Sequence, residues 1–220
     1  MRYLAILFLL AAFTGGCHHI QDQVVGSGSR QTQQRQLAAF TSISTNGAFD
    51  IDVTCQKSAQ SFEIEGDDNL LPLISTEVSG NVLYIKSNKS FSTRDPIKIR
   101  ISVANLDGIS TNGAGTIEVV DLKNDKFEID ANGATTFRLG GETKLIDIDT
   151  NGAGKIDAHR LRATRGVVDA KGVARVEVNV TEQLDVTVSG PSHVTYHGDP
   201  VLNKTVHGPG SVEKKEAEVS

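Results

Sequence analysis

One short motif, rewritten at near-constant spacing, limits what this chain can fold into. Ile109-Ser-Thr-Asn-Gly-Ala-Gly-Thr-Ile117, Ile129-Asp-Ala-Asn-Gly-Ala-Thr-Thr-Phe137 and Ile148-Asp-Thr-Asn-Gly-Ala-Gly-Lys-Ile156 are three versions of one segment. Val168–Val176 and Val186–Val194 are a fourth and a fifth, and a worn sixth runs around Gly208 to Val212. The central glycines Gly113, Gly133, Gly152, Gly172, Gly190 and Gly208 are 20, 19, 20, 18 and 18 residues apart. An earlier outlier, Ile43–Ile51, matches around Gly47. Such a period marks a stack of like units, because each unit must bury its apolar face against the next.

The apolar positions are fixed relative to each glycine. Four residues before it stand Ile109, Ile129, Ile148, Val168 and Val186; four after it stand Ile117, Phe137, Ile156, Val176, Val194 and Val212. Alternation over such short runs is the period of a strand with one buried face. Asn-Gly pairs (Asn46-Gly47, Asn112-Gly113, Asn132-Gly133, Asn151-Gly152) are read as corners, with the glycine supplying a positive φ. Two architectures fit. Asn-Gly between alternating strands is a strong hairpin signal, which gives an antiparallel meander. A solenoid instead stacks equivalent residues, and a near-constant period with near-identical corners favours it. The expected fold class is therefore all-β, a parallel β-solenoid (a right-handed, single-stranded β-helix) with coils of ~19 residues. Strands near Phe62–Ile64, Val82–Ile85 and Ile97–Val103 form its less regular N-terminal part. Asn69–Ile74 is the best helical fragment.

The first sixteen residues stand outside this pattern. Arg2 precedes an unbroken apolar run of eleven, Tyr3–Phe13, then Thr14-Gly15-Gly16-Cys17. That order is a secretory signal peptide. Small residues before Cys17 resemble a bacterial lipobox, although Thr14 stands where leucine is usual; an ordinary cleaved signal beside a free Cys is the alternative. The expected division is 1–16 signal, 17–37 lipidated Cys17 and flexible Gly/Ser/Gln-rich tether, 38–213 repeat domain and 214–220 charged tail. An exported lipoprotein is expected in the cell envelope, at the outer membrane, since His18 rather than Asp follows the Cys. Cys55, on an alternating strand, reads as a small buried hydrophobe.

A further set of segments gives the pattern a relative. The recurring Ile-x-x-Asn-Gly-Ala-x-x-Ile, with Phe49-Asp50-Ile51-Asp52-Val53, Asp67-Asp68-Asn69-Leu70-Leu71 and Val82-Leu83-Tyr84-Ile85, resembles the bacterial family called putative auto-transporter adhesin, head GIN domain. The resemblance covers about residues 38 to 212 and implies a β-helical domain on envelope proteins, without an established activity.

The formal charge of −5 speaks against a nucleic-acid partner, which calls for a basic footprint. No triad, phosphate loop or zinc spacing appears, so no catalytic residue, metal or cofactor is expected. Asp130, Asp149 and Asp169, each three residues before its glycine, would stack into a column of like charges about 4.8 Å apart. That column is either a cation- or glycan-contacting strip or a solvated face that discourages aggregation. Glu118, Arg138, Asp157 and Glu177, five after each glycine, would set opposite charges in neighbouring coils. The corners, continued by Gly172, Gly190 and Gly208, read as structural. The functional expectation is a lipid-anchored, non-enzymatic binding surface for envelope glycan, protein or a second copy of itself. The alternatives are a polysaccharide-acting β-helix enzyme and a scaffold or sensor without external ligand.

Overall fold

The computed structural model describes residues 23–215, so the signal segment and Cys17 lie outside the described residues. Strands run over Val24–Val25, Arg30–Gln34, Ser42–Thr54, Ser61–Asp67, Ile74–Ser79, Val82–Ser87, Phe91–Ser92, Ile97–Ser102, Gly108–Gly152, Lys155–Gly172, Arg175–Ser189, His193–His197, Val201–His207 and Ser211–Lys214. Twelve of them join one large mixed sheet, and Val24–Val25 with Phe91–Ser92 forms a second, two-stranded one. The expected helical fragment is reduced to one 3-10 turn, Leu71–Leu73, with Pro72 in its first turn. Among the described residues no helix is long and apolar enough to cross a membrane.

The glycine-centred copies pair parallel and like on like. Asp149 lies opposite Asp169, Asn151 opposite Lys171 and Gly152 opposite Gly172. Val168 continues to Val186, Ser189 to His207, and Val176 through Val194 to Val212. The outlying copy is no outlier in space: Ile43, Asn46 and Gly47 pair with Ile109, Asn112 and Gly113. Residues 55–107 leave the stack after Thr54 and return to its far side. There Val82–Lys86 and Ile97–Ser102 pair parallel with the other edge of Ser42–Thr54. Antiparallel strands Ile74–Ser79 and Ser61–Asp67 complete that end.

Every apolar column named from the sequence is inward. Ile43, Ile109, Ile129, Ile148, Val168 and Val186 are buried, as are Ile51, Ile117, Phe137, Ile156, Val176, Val194 and Val212. Each such side chain contributes about 1.5–3 kcal/mol by leaving water. The first of these columns ends at Lys204, which is exposed and in register with Val186. A charge at such a position on an outermost strand discourages another chain from adding to it.

Two expectations are corrected. The first concerns the corners. Gly47, Gly133, Gly172, Gly190 and Gly208 have positive φ, whereas Gly113 and Gly152 do not. What requires glycine there is the neighbouring copy: a Cβ on Gly113 would sit 2.0 Å from the Gly47 carbonyl oxygen, and one on Gly152 2.2 Å from that of Gly133. The glycines form a column because each leaves room for the next.

The second concerns the tether. From Val24 onward it is built into the fold rather than free. Arg30–Gln34 pairs antiparallel with Glu63–Asp67, and Val24–Val25 parallel with Phe91–Ser92. Low apolar content misleads here because an outermost strand needs backbone partners and few buried side chains. Arginines supply the rest: Arg35 donates to the Ile74 and Leu71 carbonyls at 2.7 and 3.1 Å, and Arg30 pairs with Glu65 at 3.2 Å.

Candidate functional site

Alternation that sends one set of side chains inward sends the intervening set outward, and parallel register lines those up as well. On the face bearing the aspartates, three columns run side by side. The first holds Val82, Ser42, Gly108, Glu128 and Asp147; the second Tyr84, Ser44, Ser110, Asp130, Asp149 and Asp169; the third Lys86, Asn46, Asn112, Asn132, Asn151 and Lys171. The first column, Ser44 to Asp149 of the second, and Asn132, Asn151 and Lys171 of the third line an open groove of about 720 Å³ that extends from Ser42 and Val82 to Lys171.

The carboxylates of this face are not bare. Asp149 and Asp169 are register neighbours, and Lys171 reaches between them, its Nζ 3.3 Å from Asp149 Oδ2 and 2.8 Å from Asp169 Oδ2. Hydrogen bonding to Asp169 first, then to Asp149, raises the lysine above its ordinary pKa. Asp130 accepts from Asn132 Nδ2 at 2.7 Å and from Ser110 Oγ at 3.5 Å. Asp169 Oδ1 is sheltered from solvent without a partner.

Sequence reasoning missed Lys171, which replaces the corner asparagine in the fourth copy. That break in an otherwise regular row was its signal. It also missed Glu128 and Asp147, five residues before their glycines. Lys126 pairs with Glu128 and lies 3.5 Å from Asp147 Oδ2; these contacts, Glu128 foremost, raise its pKa. The face thus sets five carboxylates against three ammonium groups, those of Lys86, Lys126 and Lys171, with amides and hydroxyls between them. Among the described residues, no three carboxylate, imidazole or thiolate groups converge to hold a metal ion. What the arrangement offers is a regular series of acceptors and donors along an extended path.

The row five residues after each glycine is paired differently from expectation. Arg138 lies in register with Asp157, yet Asp157 takes His159 Nδ1 from its own strand. Burial alone would raise the Asp157 pKa, but the hydrogen bond and charge of His159 outweigh it and lower it. Glu177 meets His197 Nε2 at 2.7 Å and Lys215 Nζ at 3.1 Å. Those partners, His197 first, hold its carboxyl below the usual range. Cys55 is fully buried, and desolvation, aided by the charge of Asp121, pushes its thiol up to about 11.

Comparison with known proteins gives these columns a context. The family described as "Putative auto-transporter adhesin, head GIN domain" matches residues 39–200. The fold is similar to that of a putative adhesin from Bacteroides fragilis NCTC 9343, with a TM-score of 0.70 and 23% identity over 87% of this chain and 100% of that one. A putative adhesin from Parabacteroides distasonis ATCC 8503 gives 0.52 and 19%, over 88% and 100%. At these identities the likeness is one of fold. No curated protein matches the chain.

Proposed function

We propose a function from the premise that this chain belongs to the family described as "Putative auto-transporter adhesin, head GIN domain": a non-enzymatic, adhesion-type binding module of the cell envelope. In this reading the glycine-centred copies are coils of one parallel β-solenoid, and the acylated Cys17 anchors the domain to the outer membrane. Support for the solenoid comes from parallel pairing between residues 17 to 20 positions apart, repeated from Thr136 to Lys214. Support for the anchor comes from the order of Arg2, the apolar run Tyr3–Phe13 and the small residues before Cys17. Several acyl chains on one residue anchor stably, since each buried CH₂ contributes about 0.8 kcal/mol.

The observation that carries the binding role is the groove. Its carboxylates, amides and hydroxyls recur from strand to strand at the strand spacing of about 4.8 Å. A surface with a translational repeat suits an extended partner that presents its own groups at intervals, such as an envelope glycan or an extended protein segment. Ion pairs within the columns hold the side chains in place before any partner arrives, which lowers the ordering cost of binding.

Two measurements test this. Immobilised envelope extract should retain the purified protein saturably, and the double variant Asp130→Asn/Asp149→Asn should lose at least about tenfold in affinity, or about 1.4 kcal/mol. Retention of the double variant equal to wild type would remove the groove from the function. For the anchor, Cys17→Ser should move the protein from the membrane fraction to the soluble one. A wild type without acyl mass on Cys17 would refute that part alone.

A further inference from the structure

The Gly26-Ser27-Gly28-Ser29 segment has the composition of a flexible linker and the contacts of a docked one. Gly26 runs so close to the buried Asp67 that a Cβ there would lie 1.8 Å from its Oδ2, and Gly28 turns the chain with φ of 78°. Ser27 Oγ donates to Asp68 Oδ1 at 2.5 Å, and the Ser27 N–H to Asn69 Oδ1 at 2.9 Å. Asn69 Nδ2 donates to the Val25 carbonyl at 2.8 Å, and the Asp68 N–H to that of Ser29 at 2.8 Å. Each side chain of the Asp67-Asp68-Asn69 triplet is therefore committed to the N-terminal segment or to Thr93, whose Oγ1 lies 3.1 Å from Asp67 Oδ2. The triplet is a clasp.

We propose that this clasp sets the protein's orientation at the membrane: the end of the sheet around Gln23 faces an anionic lipid surface, and the carboxylate groove leads away from it. The proposal rests on the acylation of Cys17 and adds to it a fixed orientation. Six residue steps separate Cys17 from Gln23, at most about 22 Å of extended chain. Gln23 is itself held, its Nε2 donating to the Phe91 carbonyl at 3.0 Å. The depression at that point is lined by Gln23, Asn46, Ser87, Lys89, Ser90 and Phe91 among others and contains no carboxylate. Lys86 stands beside Asn46 in register, and among the described residues neither Lys86 nor Lys89 is engaged in an ion pair. Those ammonium groups complement anionic headgroups, whereas the four carboxylates that line the groove, Glu128, Asp130, Asp147 and Asp149, are repelled by them. From Asn46, Lys171 is four strand spacings along the stack, about 19 Å, and His207 six, about 29 Å.

The test uses the full acylated chain in vesicles of phosphatidylethanolamine and phosphatidylglycerol. A fluorophore is placed on Asn88→Cys, which leaves Lys86 and Lys89 in place, or on Lys204→Cys; Cys55 is buried and does not compete. Spin-labelled headgroups should quench the probe at 88 several-fold more than the probe at 204. Gly26→Ala, which breaks the clasp without touching the groove, should shrink that difference. Hydrogen exchange on the same vesicles should show the amides of Val24, Gly26 and Arg30–Gln34 slowed at least about 100-fold relative to an unstructured chain. Equal quenching at both sites overturns the orientation, and exchange of those amides at unstructured rates overturns the clasp. Absence of an acyl mass on Cys17 overturns the anchor and with it the lipid-facing end, while the exchange data judge the clasp independently.

Discussion

Replacing Gly152 by alanine isolates the reason for the glycine column. The added Cβ would stand 2.2 Å from the Gly133 carbonyl oxygen, 2.8 Å from its nitrogen and 3.0 Å from its carbonyl carbon. All three are backbone atoms, so no side chain can swing aside. Relief requires the two strands to part locally by roughly 1 Å, against packing that resists such shifts. Overpacking of this kind costs about 1–3 kcal/mol. The shift also strains the hydrogen bond from the Ala153 N–H to the Gly133 carbonyl, 2.9 Å long, adding about 0.5–1.5 kcal/mol. A total of roughly 2–4 kcal/mol lowers the melting temperature by about 4–16 °C for a domain of this size. Gly140 is the control. It lies in the same long strand, its φ is not positive, and an added Cβ would meet nothing closer than 3.9 Å. Gly140→Ala should therefore change stability by no more than about 0.5 kcal/mol. Thermal and denaturant unfolding of both variants is the assay. Equal losses, or a harmless Gly152→Ala, would refute the claim that neighbouring copies are stacked glycine on glycine.

Three other outcomes follow from the ion pairs and the buried thiol. Lys171→Met should cost under about 1 kcal/mol at neutral pH and low salt, because the pair is exposed. The deficit should shrink in 1 M salt, where screening is nearly complete beyond about 3 Å. Because the folded lysine pKa is raised, its contribution is full below the ordinary lysine value and should disappear as pH rises through the raised one. Glu177→Gln should cost about 1 kcal/mol at pH 7. There the folded pKa is depressed, so the contribution is present above the ordinary carboxylate value and should fade as pH falls through the depressed one; a pH series of denaturant midpoints that stays parallel would contradict it. Cys55 should resist alkylation at pH 8 in the folded protein and react on unfolding, since burial both hides the thiol and raises its pKa to about 11. Rapid labelling of the native chain would refute this.

The all-β character and the buried columns were legible because both rest on local facts. Alternation decides which side chains share a face, and the recurrence of Ile109, Ile129 and Ile148 around like corners shows that the faces recur together. The outward position of Asp130, Asp149 and Asp169 follows from the same parity. Tertiary structure decided who meets whom across strands. Lys171 reaches Asp149, 22 residues earlier in the chain, and His197 reaches Glu177, 20 residues earlier; both contacts depend on register. Register in turn depends on the length of each copy and on irregularities such as the shift between Ala158 and Arg162, which no periodicity reveals. The return of Gly47 to Gly113 across 66 residues and the docking of the Gly/Ser segment on Asp67-Asp68-Asn69 are of the same kind. Composition records how a segment would behave alone. Whether it stays flexible is settled by the partners that the rest of the chain brings within hydrogen-bonding distance.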